Sequence, residues 1–584
     1  MNGVVLLVFA IICFLAAYFG YSRWLEKKWG VDPKAQTPAY ALEDGEDYTP
    51  EPAFVVFSHQ FSSITGAGPV TGPIIAAMFG WVPAFLWILF GGIFFGAVHD
   101  FGAMYASVKN EGKSIGLIIE KYIGKVGKQL FLLFCWLFSL LVIAAFGDIV
   151  ATTFNGLTPD VAQSVNNANA SAASISMLFI VAAVIVGLIM KRVHLSGWKM
   201  HVFGIVVLLI TLAIGMSFPI FADKSTWLLI VFAYLFLASV MPMWLLMAPR
   251  DFLSTYMLLG MIIAAVLGLV MQNPTIELNA FNGFAISDAN GNMNYLFPIL
   301  FITVACGAVS GFHSLVSSGT SSKQVKNEKD MRPISYGSMM CECVLAVVAL
   351  VVAGAVAKNG QLPEGTPFQI FSGSVAGFLA NFGLPITVAQ AFMTMCVSAL
   401  ALTSLDSVAR IGRMSLQEFF MNTEGETTGI AKLLTNKYVA TIVTLAAGFV
   451  LALGGYNSVW PLFGSANQLL AAMVMIAVAV YMKTAKKSGV MFYIPMAIML
   501  AVTFTALGIS LYRLVAKMMS ATQFLITIPA EAQAGQFVLL SDGLQLVFAL
   551  LLLGLGIMVA VKCLKALFAV DTKEKVKDVA PEVK

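Results

Sequence analysis

Charge is scarce in this chain. Only 11% of its 584 residues are Asp, Glu, Lys or Arg, where a soluble domain carries about a quarter because its surface must face water. That shortage, with 59% hydrophobic residues and a mean hydropathy of +0.87, excludes a soluble globular protein. No gap between apolar runs is as long as a soluble domain, so one integral membrane unit is expected. Cysteine offers no framework: the seven cysteines lie in or beside apolar runs, and Cys341 and Cys343 point to different faces of a helix, which indicates neither disulfides nor a zinc site. Signatures of soluble enzymes are missing too. The stretch EGKS at Glu111–Ser114 has Ser107 where a phosphate loop needs glycine, and neither HExxH nor a GxSxG elbow occurs. The net charge of +4 does not point to nucleic acid, because the basic residues sit in short loops beside apolar runs. The expectation is a non-enzyme without cofactor, metal or nucleic-acid partner.

What the chain has in abundance is apolar runs of the roughly 20 residues needed to cross about 30 Å of hydrocarbon. About fifteen are read: 4–20, 55–80, 82–108, 128–155, 174–190, 202–222, 226–247, 251–271, 294–320, 338–357, 385–409, 438–453, 460–482, 490–515 and 543–562. Lysine and arginine test the order. With the N-terminus outside, the loops 21–54, 109–127, 191–201, 321–337, 410–437, 483–489 and 563–584 hold at least three each, whereas the outer loops hold only Lys224, Lys358 and Lys517. This asymmetry predicts an outer N-terminus and a cytoplasmic C-terminus.

Two runs are broken by helix breakers. The stretch HQFSSITGAGPVTGP, His59–Pro73, interrupts run 55–80 with Gly66, Gly68, Pro69, Gly72 and Pro73, and Pro242 interrupts run 226–247 in the opposite direction. Two inverted five-helix halves, each opening on a broken helix, are the organisation of secondary transporters of the leucine-transporter type. The predicted fold is therefore an all-α polytopic membrane protein with an inverted five-helix repeat. Its parts are an N-terminal helix and inner acidic loop (1–54), repeats at 55–225 and 226–410, about four further helices (411–565) and a charged cytoplasmic tail (566–584).

A proline leaves the carbonyl four residues earlier without its partner, so a break inside lipid must be satisfied by a ligand, water or another helix. Glycines let a ligand approach amides at the start of the second half-helix, where the dipole favours an anion. Gly66, Gly68, Pro69, Met241, Pro242 and Trp244 are thus expected to bind substrate, with the amides near Gly66 and Gly68 receiving a carboxylate. His59, Ser62 and Ser63 share the helix face that leads to the first break, and His313, Ser314, Ser317 and Ser318 form a similar stripe. These residues, with Asp148 as a lone carboxylate, are the expected ion-coupling set, for a proton or for sodium. The serines of that stripe are expected to face His59 and Ser62. His99 and Asp100, like Asp406 and Arg410, are expected to be gate or structural residues, the last two pairing at i and i+4, and Glu342 is a further ionisable residue inside an apolar run.

Five stretches together resemble the carbon starvation protein A family: HQFSSITGAGPVTGP, VHDFGAMYASVKNEGKSIG (Val98–Gly116), MPMWLLMAPRDFLS (Met241–Ser254), SGFHSLVSSGTSSKQ (Ser310–Gln324) and LTSLDSVARIGR (Leu402–Arg413). The resemblance spans residues 1–565; Thr65, Ser404 and Ser407 depart mildly from it, and the chain looks shorter than well-known members. It implies a transporter of the bacterial inner membrane, used when carbon is scarce, that takes up peptides or a small carboxylate such as pyruvate by proton symport. A channel and a membrane-embedded hydrolase are the competing classes.

Overall fold

The computed structural model describes residues 1–45, 47–159, 162–193, 198–287, 293–421, 429–526 and 535–579. Parts of the basic loops at 191–201 and 410–437, and the last residues of the expected tail 566–584, lie outside the described residues. In chain order the apolar helices are α1 (Gly3–Trp29), α2 (Ala53–Ile64), α3 (Gly68–Ala76), α4 (Trp81–Val108), α5 (Lys125–Phe154), α6 (Gln163–Met190), α7 (Trp198–Ser217), α8 (Lys224–Val240) and α9 (Met247–Gln272). They continue with α10 (Leu296–Thr303), α11 (Gly311–Gly319), α12 (Glu328–Val356), α13 (Pro367–Ala380), α14 (Ile386–Phe420), α15 (Lys437–Ala452), α16 (Val459–Thr484), α17 (Val490–Ser520) and α18 (Leu539–Ala569). Among the described residues, eleven helices are long and apolar enough to cross a membrane. The runs expected at 55–80 and 294–320 are each split in two, those at 226–247 and 438–453 form shorter helices, and α13 occupies a stretch read as loop.

Large apolar side chains left uncovered have a common cause. Val5, Val8, Phe9 and Ile12 on α1, and Val202, Ile205, Leu209 and Ile210 on α7, are all exposed; water would penalise such stripes, whereas lipid tails accept them. Polar groups show the reverse pattern, with His59, Gln60, Asp100, His313 and Glu342 buried inside. The chain is a multi-pass membrane protein.

The first break is where glycine and proline placed it. α2 stops at Ile64, Thr65 leaves the helical region at φ −75°, ψ 76°, and α3 restarts at Gly68 with Pro69 in its first turn, a position where the missing N–H of proline is harmless. The second interrupted span is not at Pro242. α8 ends at Val240, and Met241, Pro242 and Trp244 lie in the turn to α9, so that proline ends a helix and kinks none. The matching interruption is 304–310, between α10 and α11.

These two breaks touch. A Cβ at Gly68 would overlap Cys306, and one at Gly72 would run into the Thr303 carbonyl oxygen, so glycine is required where the second half of one span crosses the other's break. α3 packs on α12 and α11 on α4, so each second half-helix lies against the helix that follows the opposite break. α5 and α14 cross alongside, and α16, whose most apolar stretch is wholly buried, closes the far side of α11.

Candidate functional site

Around the first break, hydrogen bonds replace the missing helical ones. Thr403 Oγ1 on α14 donates to the Ser62 carbonyl at 2.9 Å, and Ser404 Oγ donates to the Ser63 carbonyl at 2.8 Å. These two carbonyls belong to the last turn of α2, which has no intrahelical partners for them. His59 Nδ1 lies 2.6 Å from Asp251 Oδ2 on α9, both buried. Ser62 Oγ reaches the Asp251 carbonyl and Thr255 Oγ1, each at 3.0 Å, and Ser63 Oγ lies 2.8 Å from Ser407 Oγ. The serine stripe, expected to face His59 and Ser62, bonds a different residue of α2. Gln60, rather than His59, bridges the spans, donating to Ser317 Oγ at 2.8 Å and accepting from Ser321 Oγ at 2.7 Å. Ser314 turns back to the Gly311 carbonyl, while the Ser318 carbonyl accepts from Ser107 at 2.7 Å.

Beside the second break, four ionisable groups form a chain. Asp100 on α4 holds His99 Nδ1 and His313 Nδ1, each at 2.9 Å, and His313 Nε2 lies 3.3 Å from Glu342 Oε2 on α12. The side chains of all four are 0% exposed. Asn467 of α16 caps the start of α11: its Oδ1 accepts from the Phe312 amide at 3.0 Å and its side chain bonds Ser310. The N-cap residue of α3, Ala67, offers no side-chain hydrogen bond, and among the described residues no other side chain bonds its first amides, so the two half-helix N-termini differ in what fills them. Among the described residues no group of three or more His, Cys, Asp or Glu is arranged to hold a metal ion.

The expected Asp406–Arg410 pair does not form. Asp406 turns inward to the Arg250 guanidinium and accepts from Tyr234 Oη at 2.6 Å, while Arg410 reaches Asp47 at 2.9 Å and the Met241 carbonyl at 3.2 Å. The helical spacing allowed the pair, but a fully charged Arg250 buried to 2% exposure demands the nearer carboxylate. Asp148 is not a lone carboxylate: Lys224 sits 2.6 Å away. It also borders a cavity of about 60 Å³ with Thr71 of α3, Thr152 and Thr153. A neighbouring polar cavity of about 250 Å³, lined by Thr152, Asn169, Glu364, Gln369 and Gln390, shares its wall.

Sequence reasoning missed Gln60, Tyr234, Arg250, Asp251 and Asn467. Arg250 falls just outside the apolar run 251–271 and Asp251 opens it, so both read as its edge; α9 begins at Met247 and buries both. Their place in APRDFLS beside a break-adjacent run was the available signal. Gln60 shares a helix with His59 but not its face, and nothing in the spacing points to Asn467.

Two interrupted helices touching at their breaks, wrapped by buried ionisable chains inside a membrane-spanning bundle, define a secondary transporter. The chain belongs to the carbon starvation protein CstA family, whose family description matches residues 2–362 and 355–506. Among its relatives, the peptide transporter CstA of Bacillus subtilis is 30% identical over 83% of this chain and 86% of that protein. Of Escherichia coli, the peptide transporter CstA and the pyruvate/proton symporter BtsT are each 29% identical over 87% of this chain and 81% of their own lengths. A manganese transporter of Eremococcus coleocola, 11% identical, aligns over 90% of this chain and 99% of its own with a TM-score of 0.47.

Proposed function

We propose that this chain is a proton symporter of the bacterial inner membrane that takes up a small carboxylate such as pyruvate, or a peptide. Its N-terminus lies outside and its C-terminus in the cytoplasm. The cargo carboxylate rests on the amides at Gly66–Gly68. The observation that carries this reading is the difference between the half-helix starts: a side-chain amide satisfies α11, while among the described residues no side chain caps α3, which leaves its positive end to an anion. Met241, Pro242 and Trp244 drop out of that binding set, being in the α8–α9 turn. His59 and His313 are the proton-carrying candidates, one on each interrupted span. The reciprocal packing of α3 on α12 and α11 on α4 supports an inverted repeat whose first half opens at α2 and whose second opens at α10 rather than at 226. The cavities beside Thr71 offer a way in from the end that carries Lys224 and Glu364.

The hydroxyls of Thr403, Ser404 and Ser407 around the Ser62 and Ser63 carbonyls favour a second reading, coupling to sodium, because a hard cation takes oxygen ligands. Uptake of labelled pyruvate and labelled dipeptides into proteoliposomes, with proton and sodium gradients imposed separately, decides between them. Proton-driven uptake is expected, lost in both His59→Ala and His313→Ala while folded protein remains in the membrane. Sodium-driven uptake overturns the proton, conductance far above a transporter's turnover identifies a channel, and cargo cleaved without a gradient identifies a hydrolase.

A further inference from the structure

The chain of His99, Asp100, His313 and Glu342 has a chemical imbalance. Asp100 accepts from the Nδ1 of both histidines, so each ring keeps its hydrogen on Nδ1 and, when neutral, presents a bare Nε2 acceptor. The bare Nε2 of His313 faces Glu342 Oε2 at 3.3 Å. Neither Glu342 oxygen nor this Nε2 has a hydrogen-bond partner among the described residues. Two acceptors facing each other, away from water, repel unless a proton lies between them. Among the described residues the other neighbours supply no counter-charge: α16 presents Asn467 and α2 presents Gln60.

We propose that His313 Nε2 and Glu342 Oε2 together form a proton-binding site, with Asp100 the positioning residue that keeps that nitrogen bare. One proton is held, as N–H facing a carboxylate or as O–H facing the imidazole, and its release breaks that single bond. Resting on the symport reading, this is the proton carried with cargo: His313 stands two residues past the start of α11, so movement at the second break changes the Nε2–Oε2 separation directly. Glu342 therefore enters the coupling set, and His99 supports Asp100 from its other oxygen.

The test separates the proton site from transport. Infrared difference spectra of the purified protein in lipid, between acid and alkaline pH, are expected to contain a carboxylic-acid C=O band that Glu342→Gln removes. Absence of the band, or its persistence in that variant, overturns the proposal whatever the cargo. Asp100→Asn is expected to shift the pH midpoint of the band, and an unchanged midpoint removes Asp100 from the positioning role. If Glu342→Gln fails to fold, His313→Gln keeps the carboxyl and shifts its midpoint instead; no shift overturns the pairing. In proteoliposomes Glu342→Gln is expected to retain pyruvate or dipeptide counterflow while losing accumulation driven by a pH gradient, and accumulation equal to the natural chain's overturns the coupling role. A natural chain that moves neither cargo refutes symport and leaves the infrared result to judge the proton site.

Discussion

The two interrupted spans carry one histidine each and surround it differently. His59 meets a single carboxylate, Asp251, at 2.6 Å, with serines around the pair and no hydrogen bond to its Nε2 among the described residues. His313 sits between two carboxylates, one that fixes its ring and one, Glu342, with no hydrogen bond of its own. A ring with one carboxylate is held in place; a ring between two carboxylates can also share a proton with the second. The helix starts differ too, since Asn467 bonds the Phe312 amide at the start of α11 and, among the described residues, no side chain bonds the first amides of α3.

Substitutions can break or sharpen that contrast. The largest effect is expected where the two spans meet. Gly72→Val drives a branched side chain against the Thr303 carbonyl, a backbone atom that cannot step aside, and is expected to yield no monodisperse protein in detergent; a well-folded variant would show that the breaks are not in contact. Next comes the contrast itself, read by thermal unfolding. Asp251→Ala leaves the buried His59 Nδ1 without its partner, while Ser62 keeps its bond to the backbone carbonyl, and is expected to lower stability by about 1–3 kcal/mol. Glu342→Met removes a buried carboxylate together with the one proton it shares with His313 at 3.3 Å, and is expected to cost less than Asp251→Ala. Equal losses in both would erase the distinction between the two histidines. The smallest effect is expected at the pair between Lys224 and Asp148, which lies outside both spans. Lys224 is 42% exposed, and Lys224→Ala should change stability by less than about 1 kcal/mol.

Much of this fold was readable from apolar runs because lipid imposes a minimum length on them. The first break was readable because glycines and prolines cluster in HQFSSITGAGPVTGP. Locating the second at Pro242 failed for a physical reason: a proline near a helix end terminates it, and the chain turns there into α9. The real interruption, 304–310, contains no proline and is marked by Gly307 and the Gly311 that follows, which are equally at home in close helix packing. Of the site, His59, Ser62, Ser63, His313 and Asp100 could be picked out as polar residues inside apolar runs. Glu342 could be picked out in the same way, but Asp251 and Asn467 could not, and no pairing could be read, since only tertiary packing decides which carboxylate reaches which imidazole. Asp406 illustrates the limit: its i+4 arginine was visible, whereas Arg250, from a distant helix, takes its place.

The complete enclosure of α16 separates two demands that most membrane helices must meet at once. During synthesis this segment has to leave the ribosome and partition into lipid on its own apolarity; afterwards every residue of its most apolar stretch has protein for a neighbour. Ser465, Asn467 and Gln468 in its middle weaken only the earlier step. Biogenesis, rather than the finished bundle, is therefore where the hydrophobicity of α16 is needed, and further polar substitutions there would first be felt as chains that fail to insert.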